Sequence, residues 1–345
     1  MKTILMTEKE YGKAGNVVFN VPELKVLPAA AEERELAENI LQYSANCVVV
    51  GVENYTGLLY DALYDVAQTI SPNAPFGGLI ARFGVGHDGI DKMLARQRRI
   101  AVTNTPGVLT RSVAEHTFWL MGTLLRHIVK GDRAMRDGAF PSYNGFELYG
   151  KTLLVIGIGE IGKHVARIAS HGFGMRVYAT DRHPLEELAQ HQHPEPRHPE
   201  DWLREHGIER YSADVGVLLP EADIVSLHLA STAETRHIIS TPRLALMKPG
   251  AVLINTSRGP VVDEAALFEA LSSGNIAGAA LDVFETEPYY PVTESADLRT
   301  LNNVVLTPHL GSSSVEANRR MGESVLKNIR LFHEGRFDEM NMVSR

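Results

Sequence analysis

The sequence predicts an α/β protein with two parallel-sheet domains, and three observations carry that prediction. Short apolar runs alternate with longer segments of helical period through nearly the whole chain. The 345 residues exceed the usual size of one compact unit. The alternation also starts afresh at Lys151, after a long apolar helix, so one α/β series follows another.

In the first series, residues 3–6, 47–52, 79–82 and 100–103 read as strands, because short apolar runs without polar alternation suit strands covered on both faces. Residues 31–43, 57–67 and 88–96 carry helical periodicity. Residues 113–128 form the long apolar helix, with Ser112 as its expected N-cap. Val113, Ala114, Phe118, Trp119, Leu120, Met121, Leu124 and Leu125 leave it apolar on more than one face, which suits a helix between two domains or across a dimer interface. In the second series the strands are residues 152–156, 176–180, 224–228, 251–255, 279–283 and 304–307, with a helix over 161–170. Residues 315–333 form one amphipathic helix that can return to the first domain.

Composition excludes several classes. Hydrophobic residues make up 44% and charged residues 22%, as in ordinary soluble globular chains. A net charge of −8 without a basic stripe argues against a nucleic-acid partner. No apolar stretch reaches the ~18 residues of a membrane span. The single cysteine, Cys47, sits in an apolar run and reads as a small core residue, which fits a reducing, cytoplasmic compartment. Residues 182–216 bring His183, His191, His193 and His198 among prolines and charges. Their spacing matches no regular ligand pattern, so a solvated surface excursion is expected and no metal site.

Val155-Ile156-Gly157-Ile158-Gly159-Glu160-Ile161-Gly162 contains Gly-x-Gly-x-x-Gly between a strand and a helix, and Asp181 ends the next strand. The spacing of about twenty residues from loop to acid is that of a dinucleotide fingerprint. Gly157 permits the tight turn, Gly159 the close approach of a pyrophosphate, and Gly162 helix–strand packing. Helix N–H groups at Glu160, Ile161 and Gly162 then face the phosphates. Asp181 would accept from the adenosine ribose hydroxyls and repel a 2′-phosphate, favouring NAD over NADP, although Arg182 stands beside it.

Arg258, Glu287 and His309 each follow a strand of the second series. In a parallel sheet all carboxyl ends share one edge with the glycine loop, so the three side chains converge there. They suit hydride transfer at C2 of a small 2-hydroxy or 2-keto acid. His309 would give a proton to the carbonyl oxygen, Glu287 would fix its tautomer and stabilise the imidazolium, and Arg258 would hold the carboxylate or carbonyl. Asp282 is placed to accept from a nicotinamide carboxamide.

With these motifs the sequence resembles the D-isomer-specific 2-hydroxyacid dehydrogenases, from about residue 79 to about residue 317. The likeness rests on Phe83-Gly84-Val85-Gly86, Asn104-Thr105-Pro106-Gly107, Val113-Ala114-Glu115, the glycine loop and the three catalytic motifs in the family's order. It implies a Rossmann NAD-binding domain (residues 113–311) inserted into a flavodoxin-like substrate domain (residues 1–112 and 312–345), and a homodimer. It also implies substrate contacts from the N–H groups of Val85 and Gly86. Leu229, Ala230, Thr235, Thr256 and Ser257 fall where the family lines its cofactor groove. Leu109 stands where relatives often have Asn, and Ala230 replaces a common Pro. Glu287 stands where similar formate dehydrogenases carry Gln, which argues against formate. No regulatory tail of the phosphoglycerate dehydrogenase kind is expected. The competing reading is a non-enzymatic NAD-sensing scaffold like the corepressors that look like this family.

Overall fold

The computed structural model describes residues 2–15, 18–191 and 198–343. It divides into two compact units, Met1–Leu109 with Ser312–Arg345, and Thr110–Gly311. Each has its own parallel sheet.

The first unit holds β1 (Lys2–Thr7), β2 (Leu24–Ala29), β3 (Cys47–Val50), β4 (Gly78–Arg82) and β5 (Ile100–Thr103), in the order β2-β1-β3-β4-β5. This is the flavodoxin-like order expected. The central strands are apolar runs buried on both faces, as in Cys47-Val48-Val49-Val50. Burial also pushes the Cys47 thiol up, so it packs as an inert core group. Helices α1 (Glu33–Tyr43), α2 (Leu58–Ile70) and α3 (Lys92–Gln97) connect the strands, and the C-terminal helix Val315–Glu334 packs in the same unit. The expected helix over 88–96 starts four residues later, because the Asp91 carboxylate caps it by accepting from the N–H groups of Met93 and Leu94.

The second unit opens with α4 (Thr110–Leu125) and α5 (Ile128–Arg136). Helix α4 therefore begins before Ser112, which is no N-cap. Its hydroxyl instead donates to the Gly311 carbonyl at 2.9 Å. Next come β6 (Thr152–Ile156), α6 (Glu160–Arg167), β7 (Arg176–Thr180), α7 (Leu185–His191), α8 (Pro199–Glu205), β8 (Arg210–Ser212), β9 (Ile224–Leu227), β10 (Val252–Asn255), α9 (Glu264–Ser272), β11 (Gly278–Leu281) and β12 (Val304–Leu306). Helix α6 stops earlier than expected and continues as a wider turn over Ile168–Gly172.

The sheet order is β12-β11-β10-β9-β6-β7-β8, a doubly wound Rossmann arrangement whose order reverses between β6 and β9. Successive residues along the strands serve opposite cores. Leu154, Val225 and Leu253 pack on one face. On the other, Leu153, Val155 and Ile254 pack with Phe118 and Met121 of α4.

The excursion after β7 corrects the expectation of a purely solvated segment. Leu188 and Trp202 enter the core, Trp202 completely, and β8 extends the sheet beside β7. His183 pairs with Glu187 at 2.8 Å, while His193 lies outside the described residues. Among the described residues, no cluster of ligating side chains is placed to hold a metal, and no helix is long and apolar enough to cross a membrane.

Candidate active site

The glycine loop joins β6 to α6 at the point where the sheet order reverses, where ligands of such sheets bind. Gly157 has φ +94°, and a Cβ there would stand 2.5 Å from the His228 carbonyl oxygen. Only glycine tolerates both conditions. A Cβ on Gly162 would come within 2.0 Å of the Gly157 carbonyl oxygen, so the third glycine is what lets the helix seat on the turn. Gly159 is different, because a Cβ there would meet open space. That clearance, with N–H groups of Glu160, Ile161 and Gly162 lying ahead of the first intrahelical bond (Lys163 N to Gly159 O, 3.0 Å), fits a dinucleotide pyrophosphate.

Asp181 sits at the end of β7 and braces this loop. One carboxylate oxygen accepts from Ile158 N–H at 2.9 Å and the other from His183 N–H at 3.2 Å. Thr235 lies in the turn after β9, where its hydroxyl donates to Ala230 O at 2.7 Å. Thr256 shares a hydrogen bond of 2.9 Å with Thr117 of α4, which ties the end of β10 to that helix. His228 is half-buried, and desolvation of its imidazole pushes it down to about 3, so it stays neutral.

Arg258, Glu287 and His309 follow β10, β11 and β12, three adjacent strands whose ends are in register. His309 and Glu287 meet directly: Nδ1 and Oε2 are 2.7 Å apart, with each side chain 27% exposed. Glu287 is oriented in turn by Phe284 N–H, which donates to its other oxygen at 3.1 Å. His309 has φ +56°, a costly backbone conformation for a non-glycine residue. Two carbonyls hold it there, with His309 N–H shared between Asp282 O at 2.9 Å and Thr307 O at 3.0 Å.

The Asp282 side chain completes the clamp. Its carboxylate accepts from Leu310 N–H at 2.7 Å, Gly311 N–H at 2.8 Å, the Thr307 hydroxyl at 2.5 Å and His116 Nε2 at 3.2 Å. Burial favours its neutral form, but these hydrogen bonds outweigh burial and hold the carboxyl below the usual carboxylate range. Asn255 shapes the Arg258 turn, its amide donating to Arg258 O while its oxygen accepts from Ser257 N–H and hydroxyl. Arg258 donates to Ser257 O at 2.6 Å.

A model of the D-isomer specific 2-hydroxyacid dehydrogenase NAD-binding domain matches residues 118–311. The chain belongs to the D-isomer specific 2-hydroxyacid dehydrogenases. It is 41% identical to a glyoxylate reductase of Pyrococcus furiosus over 279 residues, covering 78% of this chain and 77% of that protein. It is 36% identical to a hydroxypyruvate reductase of Thermotoga maritima, over 92% of this chain and 94% of the relative. An NADPH-dependent glyoxylate/hydroxypyruvate reductase of Sinorhizobium meliloti, solved with NADP and malonate, superposes with a TM-score of 0.75. It is 29% identical, with 96% of this chain and 93% of that one covered.

As a member of this family the protein is an enzyme that interconverts a 2-hydroxy acid and its 2-keto acid against a nicotinamide cofactor. The scaffold reading is set aside. Sequence reasoning missed His116, Thr307 and Glu264, all bonded to the loops that carry the dehydrogenase motifs. His116 was detectable as the one imidazole on a largely apolar helix, but nothing local announced its partner 166 residues away.

In the first unit, Val85 and Gly86 lie in the turn that follows β4. The Val85 carbonyl accepts from Asn104 Nδ2 at 2.8 Å, and the Gly86 carbonyl from Arg82 Nε at 2.7 Å.

Proposed function

We propose that His309 is the acid/base of this dehydrogenase, Glu287 its partner, and Arg258 the residue that holds the substrate. The 2.7 Å contact between His309 Nδ1 and Glu287 is the observation that carries this reading. With Nδ1 engaged, Nε2 is left to face the substrate oxygen. The bound nicotinamide supplies the hydride to C2 in the reductive direction and accepts it in the oxidative one. As the keto oxygen gains negative charge, His309 gives it the Nε2 proton, and the Glu287 carboxylate stabilises the imidazolium that precedes the transfer. Arg258 offers its fork of donors to the substrate carboxylate. In the first unit, we assign the N–H groups of Val85 and Gly86 to substrate binding.

For the cofactor, the pyrophosphate is assigned to Gly159, Glu160, Ile161 and Gly162, and the adenosine ribose to Asp181. The negative charge of Asp181 supports NAD over NADP. Leu229, Ala230, Thr235, Thr256 and Ser257 line the groove, and Asp282, whose Oδ2 accepts one backbone N–H, keeps a second lone pair for the nicotinamide carboxamide. The substrate is a short 2-keto acid of the glyoxylate or hydroxypyruvate type, a reading supported by the glyoxylate and hydroxypyruvate reductases that the chain resembles. Exposed Trp119, Ile128, Met135, Phe140, Phe146 and Tyr149 support a homodimer built on the second unit, which a monomeric sedimentation profile at micromolar concentration would refute. The buried reduced thiol of Cys47 supports a cytoplasmic location.

The test is His309→Gln assayed by NADH oxidation over a panel of 2-keto acids. Turnover falls on the order of 10²–10⁴-fold, while NADH affinity stays near that of the parent. Near-normal turnover would remove His309 from the chemistry.

A further inference from the structure

Glu264 opens α9, next to its N-cap Asp263, and is only 3% exposed. Acidic residues are common in the first turn of a helix, where the dipole favours them, but there they face water. This one points inward and exchanges two hydrogen bonds with the turn after β11. Its Oε1 accepts from Glu285 N–H at 2.5 Å, and its own N–H donates to Glu285 Oε1 at 3.1 Å. Among the described residues it forms no ion pair, and its Oε2 is buried without a hydrogen-bond partner.

That turn is residues 284–287. Phe284 N–H orients Glu287, and Glu287 holds His309. The main chain of Gly259, ahead of α9, lies against the same turn so closely that a Cβ would sit 1.8 Å from the Phe284 carbonyl carbon. The far side of Glu285 is held by His237 Nε2 at 2.9 Å and Arg236 at 3.5 Å. The turn thus rests on a backbone platform and is pinned from both sides, and Glu264 is the pin on its main chain.

We infer that Glu264 is a positioning residue: from the start of α9 it fixes the 284–287 turn so that Glu287 stays aimed at His309. The inference rests on the reading of His309 and Glu287 as the acid/base pair. Its protonation state follows from its surroundings. Burial, then the charges of Glu285 and Glu287, push the Glu264 carboxyl up to about 7. The other titratable and charged groups around it are Asp263 at the cap of its own helix, Tyr289 just beyond the turn, Arg236 and His237 on the segment after β9, Arg243 on the short helix Thr241–Leu244 that packs against α9, Arg258 ahead of α9, and His309 through Glu287. Below neutrality Glu264 is a neutral acid that still accepts from Glu285 N–H. Above it, a third carboxylate charge is added beside two existing ones.

The experiment compares Glu264→Ala and Glu264→Gln with the parent enzyme, measuring kcat against a 2-keto acid, KM and Kd for NADH, and kcat from pH 5.5 to 9. Glu264→Ala lowers kcat on the order of ten- to a hundredfold through a misaimed base, with NADH affinity within about twofold. Glu264→Gln restores kcat at pH 6 to within about threefold, because an amide oxygen still accepts from Glu285 N–H, and its kcat–pH profile loses the component near 7. Parental kcat in Glu264→Ala overturns the inference. So does a Glu264→Gln enzyme as impaired at pH 6 as the alanine variant, or, should the alanine variant not fold, one whose pH profile superposes on the parent's. His309→Gln in the same assay separates the two ideas. If it retains turnover, the acid/base reading itself fails; if it loses turnover while Glu264→Ala keeps it, only the positioning role fails.

Discussion

Replacing Asp282 by Asn removes one acceptor from the clamp that holds His309 in its left-handed conformation. The carboxylate is buried and receives four donors: three on Oδ1 (Leu310 N–H, the Thr307 hydroxyl, His116 Nε2) and one on Oδ2, from Gly311 N–H. An amide has a single acceptor oxygen. If it takes the place of Oδ1, its NH2 faces Gly311 N–H, donor against donor, in a site closed to water. The loss of one charge-assisted hydrogen bond, with a buried N–H left unpaired, costs about 3 kcal/mol. For a unit the size of Thr110–Gly311 that lowers the melting temperature by roughly 6–12 °C. Differential scanning calorimetry reads the shift, and kcat falls with it because the His309 backbone loses its anchor.

The pH dependence has a definite sign. The folded-state carboxyl lies below its ordinary value of 3.8, so its stabilisation is present above that value and is lost as the pH falls through the folded-state pKa. The gap between parent and variant therefore persists from pH 5 to 8 and narrows only in stronger acid. A variant melting within about 1 °C of the parent at pH 7 would refute the reasoning, since even one lost bond exceeds that.

Two further outcomes follow from the cofactor loop. In Gly162→Ala the new methyl would stand 2.0 Å from the Gly157 carbonyl oxygen and force α6 away from the turn, costing about 1–3 kcal/mol and weakening NADH binding at least tenfold by titration; normal affinity would show that the turn tolerates the shift. In Asp181→Ala the preference for NADH over NADPH falls on the order of tenfold, the worth of one hydrogen bond to a charged group. An unchanged ratio of kcat/KM values would remove Asp181 from the ribose.

How much of this was legible depends on where the information lies. Strands β6 and β7 match their expected bounds because doubly covered parallel strands are uninterrupted apolar runs, such as Thr152-Leu153-Leu154-Val155-Ile156. Strand β2 went unread. It is an edge strand, Leu24-Lys25-Val26-Leu27-Pro28-Ala29, with a lysine, a proline and only its two ends buried. Strand β8, Arg210-Tyr211-Ser212, escaped for the same reason. The convergence of three motifs on one sheet edge was readable, since it needs only strand order and direction. The clamp around them was not, because Asp282–His116 and Glu264–Glu285 join residues distant in sequence whose types are ordinary for their positions.

The division of the chain also sets an order of assembly. The outer unit draws its last helix, Val315–Glu334, from beyond the inserted unit, and that helix packs against β4, while Val343 N–H donates to Val102 O at 3.0 Å. During synthesis the first 109 residues emerge without this cover, and about two hundred more must be made before it arrives. The inserted unit has no such wait. Its ends are stitched together by the Ser112 hydroxyl on Gly311 O, so to the outer unit it is a long loop whose ends are already closed, and the entropy of bringing the two outer segments together falls accordingly. The first 109 residues can therefore gain the last helix of their unit only after the whole inserted unit has been made.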